Sequence, residues 1–312
     1  MLRKHRGLFG SETNMKKVII SGANGFIGKW LVKEFVEAGI EVYALVRNEE
    51  NHFIKNDNVH FICCDMKNVV NIVEQLKNKR IDTFFHLAWE GSTGDKRADY
   101  KIQLSNVQYS CEAMQVAKLI GCKRFLAAGT ITERIVDEAI QNGRVPTNLI
   151  YGICKKTTHN ILITLSTQIG IELIWMQFSN VFGPGNRTGN LISYTLSTIQ
   201  KGEQPEYSSA TQPYDFIYIK DLVRAIMLLG QNEKLSHNQY FLGSGQSRVL
   251  REYLLDIPRA LGLDIEMGIG QRADDGIKYQ KEWFLTDGLV MDTGFKTTYS
   301  FEEAIRETYR NW

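Results

Sequence analysis

Short runs of apolar, β-branched residues alternate with amphipathic stretches through the first half of the chain. The runs have the length of buried strands, and the stretches between them repeat apolar residues at helical spacing. Such alternation predicts an α/β fold with a doubly wound parallel sheet. The predicted strands are Val18–Ser21, Glu41–Val46, Val59–Cys63, Thr83–Leu87, Arg124–Ala128 and Glu172–Gln177, and the predicted helices are Lys29–Ala38, Val69–Lys77, Tyr100–Leu119 and Ile150–Gln168.

The pattern changes after Gln177, where turn-rich segments and isolated helices replace the regular alternation. We therefore expect residues 15–178 to form one domain and residues 179–312 to form mainly a smaller, partly interwoven lobe, segments of which return to the first domain. The elements predicted in the second part are a turn cluster over Phe182–Asn186, a helix over Leu191–Lys201, a loop with short strands over residues 202–219 and a helix that begins at Asp221.

A glycine-rich turn follows the first predicted strand and precedes the first predicted helix. Strand, glycine turn and helix is the order that a dinucleotide site requires. Gly22 permits the tight turn, Gly25 lets the backbone approach a pyrophosphate, and Gly28 allows close packing of helix on strand. The free amides of the helix would face the phosphates, so Asn24, Phe26 and Ile27 are also assigned to the cofactor.

A second signal is the pair Tyr151 and Lys155 in the last predicted helix of the first domain. Residues four apart share one face of a helix, so the phenol and the ammonium group would lie side by side. A phenol has a pKa near ~10, and a nearby cation stabilises its phenolate. The pair therefore suits proton transfer to or from a carbinol oxygen.

Composition is that of a soluble enzyme: 43% of the 312 residues are hydrophobic, 23% are charged, and the formal net charge is +2. This balance, without a basic patch, argues against nucleic-acid binding, and no apolar run has membrane-spanning length. The polar residues 1–14 do not resemble a signal peptide, and we expect a disordered leader, with Met15 an alternative start. An odd number of cysteines without a CxxC pair favours the cytoplasm and predicts no metal site: Cys63, Cys64, Cys111, Cys122 and Cys154.

Together, the GxxGxxG turn and Tyr-x-x-x-Lys resemble the extended short-chain dehydrogenase/reductases that act on nucleotide sugars. The resemblance extends from Met15 to Trp312. It implies that residues 15–178 are an NAD(P)-binding Rossmann domain and that residues 179–312 mainly bind substrate. It also implies catalysis by Tyr151, Lys155 and a hydroxyl at the end of the fifth strand, where Thr130 stands.

The resemblance further implies roles for residues at the ends of other strands. His86-Leu87-Ala88 resembles the end of the fourth strand beside the cofactor, although His86 itself is more simply a packed histidine. The remaining cofactor residues that it implies are Asp65, which could equally be a strand-terminating aspartate, its neighbour Met66, and Leu87, Ala88 and Asn106.

Segments of the second lobe resemble the nucleotide-sugar enzymes specifically. Asn180, in Asn-Val-Phe-Gly-Pro-Gly, stands where the family approaches the sugar diphosphate, and Tyr214 replaces an arginine that usually contacts it. Arg272 lies near the position of a second phosphate-contacting arginine, although it could equally be a solvated surface residue. Trp89 and Glu90 are candidates for contact with sugar hydroxyls.

Cofactor choice is predicted from the end of the second strand. An acidic residue there would bind the ribose hydroxyls and repel a 2′-phosphate, whereas an arginine favours the phosphate. Val46 occupies the acidic place and Arg47 follows it. NADP(H) is therefore favoured, with NAD(H) as the alternative.

Three chemistries compete within the family: 4-keto reduction, 4-epimerisation and 4,6-dehydration. Dehydratases carry an Asp-Glu pair directly after the catalytic threonine, and this chain lacks it, since Glu133 is one position too late. Because Arg47 favours an exchangeable NADPH, we predict a reductase of a nucleotide-linked keto-hexose, with a 4-epimerase as the alternative and a non-catalytic NADP sensor ranked lower. The resemblance also implies a homodimer formed by the helices over residues 100–119 and 150–168.

Overall fold

The computed structural model describes residues 15–48 and 52–312, so the expected leader lies outside the described residues. Seven parallel strands form the central sheet in the order β11-β6-β5-β4-β1-β2-β3. The α/β prediction is confirmed. The strands of this sheet are β1 (Lys17–Ser21), β2 (Glu41–Val46), β3 (Val59–Cys63), β4 (Thr83–His86), β5 (Arg124–Thr130), β6 (Glu172–Phe178) and β11 (Gln239–Leu242).

Helices cover both faces of this sheet. Neighbouring residues of one strand point to opposite faces, so Val18 and Ile20 join one hydrophobic core while Ile19 joins the other. Because both faces are buried, the strands are apolar almost throughout. The helices are α1 (Phe26–Glu37), α2 (Val73–Leu76), α3 (Tyr100–Leu119), α4 (Thr132–Gln141), α5 (Leu149–Ile169), α6 (Leu191–Gln200), α7 (Ile219–Gln231), α8 (Leu250–Leu261), α9 (Asp287–Thr293) and α10 (Phe301–Arg310).

The second part of the chain adds three small two-stranded sheets and returns once to the central sheet. The return is β11, which pairs in parallel with β6 at the edge. The division of the chain into two domains after Phe178 stays a prediction. The small sheets pair β7 (Asn180–Phe182) with β10 (Phe216–Tyr218), β8 (Glu206–Tyr207) with β13 (Gly268–Ile269), and β9 (Pro213–Tyr214) with β12 (Arg248–Val249).

Before residue 178, two helices differ most from the sequence prediction. In place of the helix predicted over Val69–Lys77, the structure has a 3₁₀ segment over Met66–Ile72, kinked at Asn68 (φ −121°, ψ 22°), followed by the short helix α2. Buried residues three or four apart fit both kinds of helix, so the pattern did not distinguish them. The second difference is α4, a helix that no sequence pattern above predicted, directly after β5.

The order of strands also locates the site. The chain runs outward from β1 to β3 on one side and then crosses to β4 on the other side of β1. A crevice opens at such a switch point, outside the carboxyl ends of the strands, and this is where α/β proteins bind ligands. The glycine turn follows β1 at that edge, and Thr130 ends β5 at the same edge.

Candidate active site

A cavity of about 480 Å³ opens at the carboxyl ends of the central strands. It extends from the glycine turn to the end of β5. All the predicted cofactor residues line it: Gly22, Asn24, Gly25, Phe26, Ile27, Gly28, Arg47, Asp65, Met66, Leu87, Ala88, Asn106, Tyr151 and Lys155. Of the predicted substrate residues, it is lined by Trp89, Glu90, Thr130 and Asn180.

The glycine turn has the geometry that a dinucleotide requires. Gly22 has φ +71°, and a Cβ there would lie 2.8 Å from the backbone nitrogen of Ala88. A Cβ at Gly28 would overlap the carbonyl oxygen of Gly22, and one at Gly25 would lie 3.1 Å from the same oxygen. α1 begins directly after Gly25 without a side-chain cap, so its first amides are free to face a phosphate. These residues fit a nicotinamide dinucleotide.

The adenosine end of the cavity contains one cation and one carboxylate. Arg47 is exposed and follows the buried Val46 at the end of β2. Asp65 is exposed too, and its carboxylate accepts a hydrogen bond from the backbone of Lys67 over 3.1 Å, which caps the 3₁₀ segment. Asp65 therefore caps the segment that follows β3 and lines the cavity at the same time.

The catalytic candidates meet at the opposite end. Tyr151 and Lys155 lie on one face of α5 and are buried, with exposed fractions of 7% and 5%. The Lys155 ammonium donates to the carbonyl oxygen of Ala128 over 2.6 Å, and its Nζ lies 3.7 Å from the centre of the Trp89 ring. Thr130, at the end of β5, lines the same cavity as Tyr151, and its hydroxyl acts to lower the pKa of the Tyr151 phenol.

Burial dominates the electrostatics of this group. It raises the pKa of the Tyr151 phenol, and the Arg97 guanidinium and the Thr130 hydroxyl oppose part of that rise, while the Glu133 carboxylate adds to it. Burial likewise lowers the pKa of the Lys155 ammonium, which the charge of Glu133 opposes. The pKa of Tyr151 therefore depends on the charges around it. Two of those charges belong to Arg97 and Glu133, which the sequence analysis did not assign to the site.

Comparison with known proteins identifies the family. Residues 18–243, well over half of the chain, match the NAD dependent epimerase/dehydratase family. The chain belongs to this family. The predictions of family and enzyme class are therefore confirmed, and the nicotinamide dinucleotide that the glycine turn predicts is the cofactor of the family.

Several relatives are similar over most of the enzyme. CDP-abequose synthase of Salmonella typhimurium is 25% identical over 304 residues, which cover 93% of this chain and 96% of that protein. A dTDP-4-dehydro-6-deoxy-D-allose reductase of a Streptomyces species is 25% identical over 246 residues, covering 70% of this chain and 74% of that protein. The crystal structure of UDP-glucose 4-epimerase from Thermotoga maritima has the same fold, with a TM-score of 0.77, 21% identity, and coverage of 95% of this chain and 98% of that one.

Behind Thr130, the enzyme contains a buried carboxylate that sequence reasoning considered only as a dehydratase residue. Glu133 is 3% exposed and accepts hydrogen bonds from the Thr130 backbone nitrogen over 2.6 Å, from Trp175 Nε1 over 3.0 Å and from Gln177 Nε2 over 3.0 Å. The spacing Thr-x-x-Glu is that of a capping box, in which the glutamate reaches back to the start of its helix. This signal could have predicted both α4 and the role of Glu133.

The segment after β4 is held by the fully buried Gln103 of α3. Its Nε2 donates to the carbonyl oxygens of Gly91 and Lys96, each over 2.9 Å, and its Oε1 accepts from Trp89 Nε1 over 2.8 Å. Asn106, one helical turn further on, donates to the carbonyl oxygen of Glu90 and accepts from its backbone nitrogen. Trp89 and Glu90 are therefore fixed through buried amides, a long-range contact that no local pattern predicts.

The other predicted substrate residues lie differently. Tyr214 does not line the cavity but donates to Asn180 Oδ1 over 2.9 Å, so it contacts a residue that does. Arg272 does not line the cavity either: it donates to the hydroxyl of Tyr194 over 2.7 Å and pairs with Glu206 at 3.5 Å. The structure therefore brings Asn180 and Tyr214 together and leaves Arg272 apart from them.

His86 lies between two serines at the end of β4. Its Nδ1 lies 2.8 Å from the Ser21 hydroxyl and its Nε2 lies 3.0 Å from the Ser110 hydroxyl. Burial, together with the charge of the nearby Lys155, lowers the pKa of His86 to about 3. The imidazole is neutral and fully engaged, as expected of a packed histidine.

Within residues 15–48 and 52–312, no cluster of three or more His, Cys, Asp or Glu side chains has the arrangement of a metal site. Over the same residues, none of the helices combines the length and the apolar composition needed to cross a bilayer.

Proposed function

We propose that this enzyme uses NADPH to reduce a keto group, at C4, of a hexose linked to a nucleoside diphosphate. The observation that carries the proposal is that Thr130, Tyr151 and Lys155 line the same cavity as the glycine turn. A hydroxyl pair that meets beside a dinucleotide site is suited to a carbonyl oxygen. Similarity to a dTDP-4-dehydro-6-deoxy-D-allose reductase supports this substrate class.

Each residue has a defined task in the proposed reaction. Tyr151 donates its proton to the carbonyl oxygen, Thr130 hydrogen-bonds that oxygen, and the positive Lys155 orients the cofactor ribose and favours the ionised phenol that remains. The bound nicotinamide supplies the hydride that the carbon receives. The carbonyl thus gains one hydride and one proton and becomes a carbinol, while NADPH becomes NADP.

Dehydration is disfavoured because the only acidic residue near Thr130 in the sequence is committed elsewhere. Glu133 accepts hydrogen bonds from three donors and lies behind Thr130, outside the residues that line the cavity. An elimination needs an acid and a base that reach the sugar. Glu133 does not meet that requirement.

The cofactor preference, the oligomeric state and the cellular location are part of the same proposal. Arg47 lines the cavity where a 2′-phosphate would lie, and this supports NADPH as the preferred cofactor. A homodimer is supported by exposed apolar side chains on the packed helices α3 and α5, namely Tyr100, Leu104, Leu119, Ile153 and Ile161. The cytoplasmic location stays a prediction from the odd number of cysteines.

The decisive experiment follows the hydrogen. NADPH carrying deuterium at the transferred position is incubated with the enzyme and a 4-keto-6-deoxy nucleotide sugar, and the product is analysed by mass spectrometry and NMR. We expect one NADPH consumed per product and deuterium on the new carbinol carbon. An unmodified nucleotide hexose is incubated separately. Interconversion of its 4-epimers without loss of cofactor would replace the reductase with the 4-epimerase, and binding of NADPH without turnover on any keto-sugar would indicate the sensor.

A further inference from the structure

Arg97 is a charged residue that contacts the catalytic tyrosine and that the proposed mechanism does not use. It lies on a short 3₁₀ segment, Asp95–Ala98, between β4 and α3. The Cζ of its guanidinium lies 4.3 Å from the centre of the Tyr151 ring, so the cation is stacked on the phenol. Cations attract the negative face of an aromatic ring, and a phenolate, which delocalises its charge into the ring, attracts them more strongly.

The charge of Arg97 is not neutralised by a carboxylate. Over the described ranges 15–48 and 52–312, no carboxylate oxygen lies within 4 Å of its guanidinium. Nη1 donates to the carbonyl oxygen of Ser92 over 3.2 Å, Nη2 lies 3.5 Å from the Thr132 hydroxyl, and Nε is buried with no hydrogen-bond partner among those residues. The positive charge is therefore available to the phenol that it covers.

The other groups around Tyr151 leave this role open. Lys155, on the same helix, donates to Ala128 and lies over Trp89. Thr130 approaches from β5 and the Glu133 carboxylate from α4, and the latter disfavours a phenolate. Burial lowers the pKa of Lys155, whereas a guanidinium stays charged at any pH an enzyme meets. Among these groups Arg97 supplies the charge that does not titrate.

Arg97 is also linked to the second catalytic hydroxyl. Thr132, to which it donates, accepts a hydrogen bond from the Thr130 hydroxyl over 3.2 Å. The 3₁₀ segment is held in turn by the buried Gln103, which binds the carbonyl oxygen of Lys96. Arg97 is thus held from behind, contacts the Tyr151 ring directly and is linked to the Thr130 hydroxyl through Thr132.

We propose that Arg97 is a positioning residue that holds the Tyr151 ring and stabilises its phenolate, and so makes Tyr151 a stronger acid. The consequence for catalysis rests on the proposed function, in which Tyr151 is the proton donor. The effect on the phenol itself does not depend on the substrate, and it can be measured without one.

The test is a titration of the Tyr151 phenol in the complex with NADP. Phenolate absorbance near 295 nm is recorded up to about pH 11, and Tyr151→Phe in the same background is subtracted so that only Tyr151 remains. Arg97→Met removes the charge and keeps a long apolar side chain over the ring, Arg97→Gln is a second neutral variant, and Arg97→Lys keeps the charge. Lys101→Met, an exposed lysine in the first turn of α3, is the matched loss of one positive charge.

We expect the Tyr151 titration to move to higher pH by about one unit in both neutral variants, a tenfold change in the ionisation constant. In Arg97→Lys the Tyr151 titration should stay close to that of the wild type, and in Lys101→Met it should be unchanged. An unchanged titration in a neutral variant that keeps wild-type thermal stability would overturn the proposal. So would a wild-type enzyme that shows no phenolate signal over this range.

Kinetics provide the second readout. Reduction requires protonated Tyr151, so the rate falls as pH rises through the pKa of Tyr151, and loss of the cation should move this fall to higher pH. At neutral pH the weaker acid should lower kcat several-fold and leave KM for the nucleotide sugar nearly unchanged. A raised KM with the wild-type pH profile would make Arg97 a substrate-binding residue instead. If no keto-sugar is reduced, the proposed function fails, and the titration still decides the role of Arg97.

Discussion

The two halves of the active-site cavity, one proposed to bind the cofactor and the other the substrate, are built in different ways. The cofactor half consists largely of main chain at strand ends, where Gly22, Gly25 and Gly28 bring the backbone close to a ligand. The substrate half consists of side chains from distant segments that bind one another, as Gln103 binds Trp89 and Tyr214 binds Asn180. The pyrophosphate is common to NAD and NADP, so the part of the cavity that faces it can rely on backbone geometry.

The comparison explains where specificity resides. In the substrate half, side chains are fixed by hydrogen bonds that cross from one element to another before any sugar binds. A change of one side chain there alters the shape presented to the hexose without altering the fold. The catalytic group lies at the boundary, because Tyr151 and Lys155 line the cavity beside both halves.

The largest effect is expected at that boundary. Tyr151→Phe keeps the ring and removes the proposed proton donor, so turnover should fall by about 10² or more, while the fold and NADPH binding survive. Lys155→Ala should lower both the rate and the affinity for cofactor. Steady-state kinetics, with cofactor binding followed by fluorescence, measure these effects. Turnover near that of the wild type in Tyr151→Phe would contradict the assigned chemistry.

The next effect tests the cofactor half at its exposed cation. Arg47 offers a guanidinium to a 2′-phosphate, and charge-assisted hydrogen bonds of this kind contribute about 1.5–3 kcal/mol, or roughly ten- to a hundredfold in affinity. Arg47→Ala should therefore raise the Kd of NADPH by that factor and leave the Kd of NADH almost unchanged. Both constants are measured by calorimetry. Equal affinities of the wild type for the two cofactors would refute the preference.

The glycines separate packing from ligand contact within the cofactor half. A methyl group at Gly28 would overlap backbone atoms of Gly22 and Ala23, so Gly28→Ala should lower the free energy of unfolding by about 1–3 kcal/mol. Gly25→Ala meets the Gly22 carbonyl oxygen only at 3.1 Å and should mainly weaken cofactor binding. Denaturant titration without cofactor compares the two variants. Equal destabilisation would mean that both glycines serve packing alone.

Main-chain features could be predicted from the sequence, and contacts between distant side chains could not. β1, the glycine turn and the Tyr151–Lys155 pair were predicted because their signals lie within a few neighbouring residues. Thr130 was predicted through family resemblance at a strand end. The fold was predictable from local patterns too, because alternate residues of the apolar strands form a hydrophobic core on each face of one parallel sheet.

Residues that act across the fold were not predicted. Arg97 carries no local signal, since its meaning depends on a ring more than fifty positions away in the sequence. Gln103 would be an ordinary polar residue on a helix if it did not bind Trp89. Glu133 had a local signal, the Thr-x-x-Glu spacing with Thr130, but we interpreted it only as a misplaced dehydratase residue. Long-range hydrogen bonds between side chains leave no local pattern in the sequence.

The smallest effects are expected at the two substrate residues that do not line the cavity. Tyr214→Phe removes one neutral hydrogen bond to Asn180, which contributes about 0.5–1.5 kcal/mol. KM for the nucleotide sugar should therefore rise by roughly two- to tenfold, with the Kd of NADPH unchanged. Arg272→Ala breaks an exposed pair with Glu206 outside the cavity, so KM should stay close to the wild-type value. Parallel measurement of both variants ranks the two residues. A larger rise in KM for Arg272→Ala than for Tyr214→Phe would show that the diphosphate binds near Arg272, and that the substrate half extends beyond the cavity lined by Asn180.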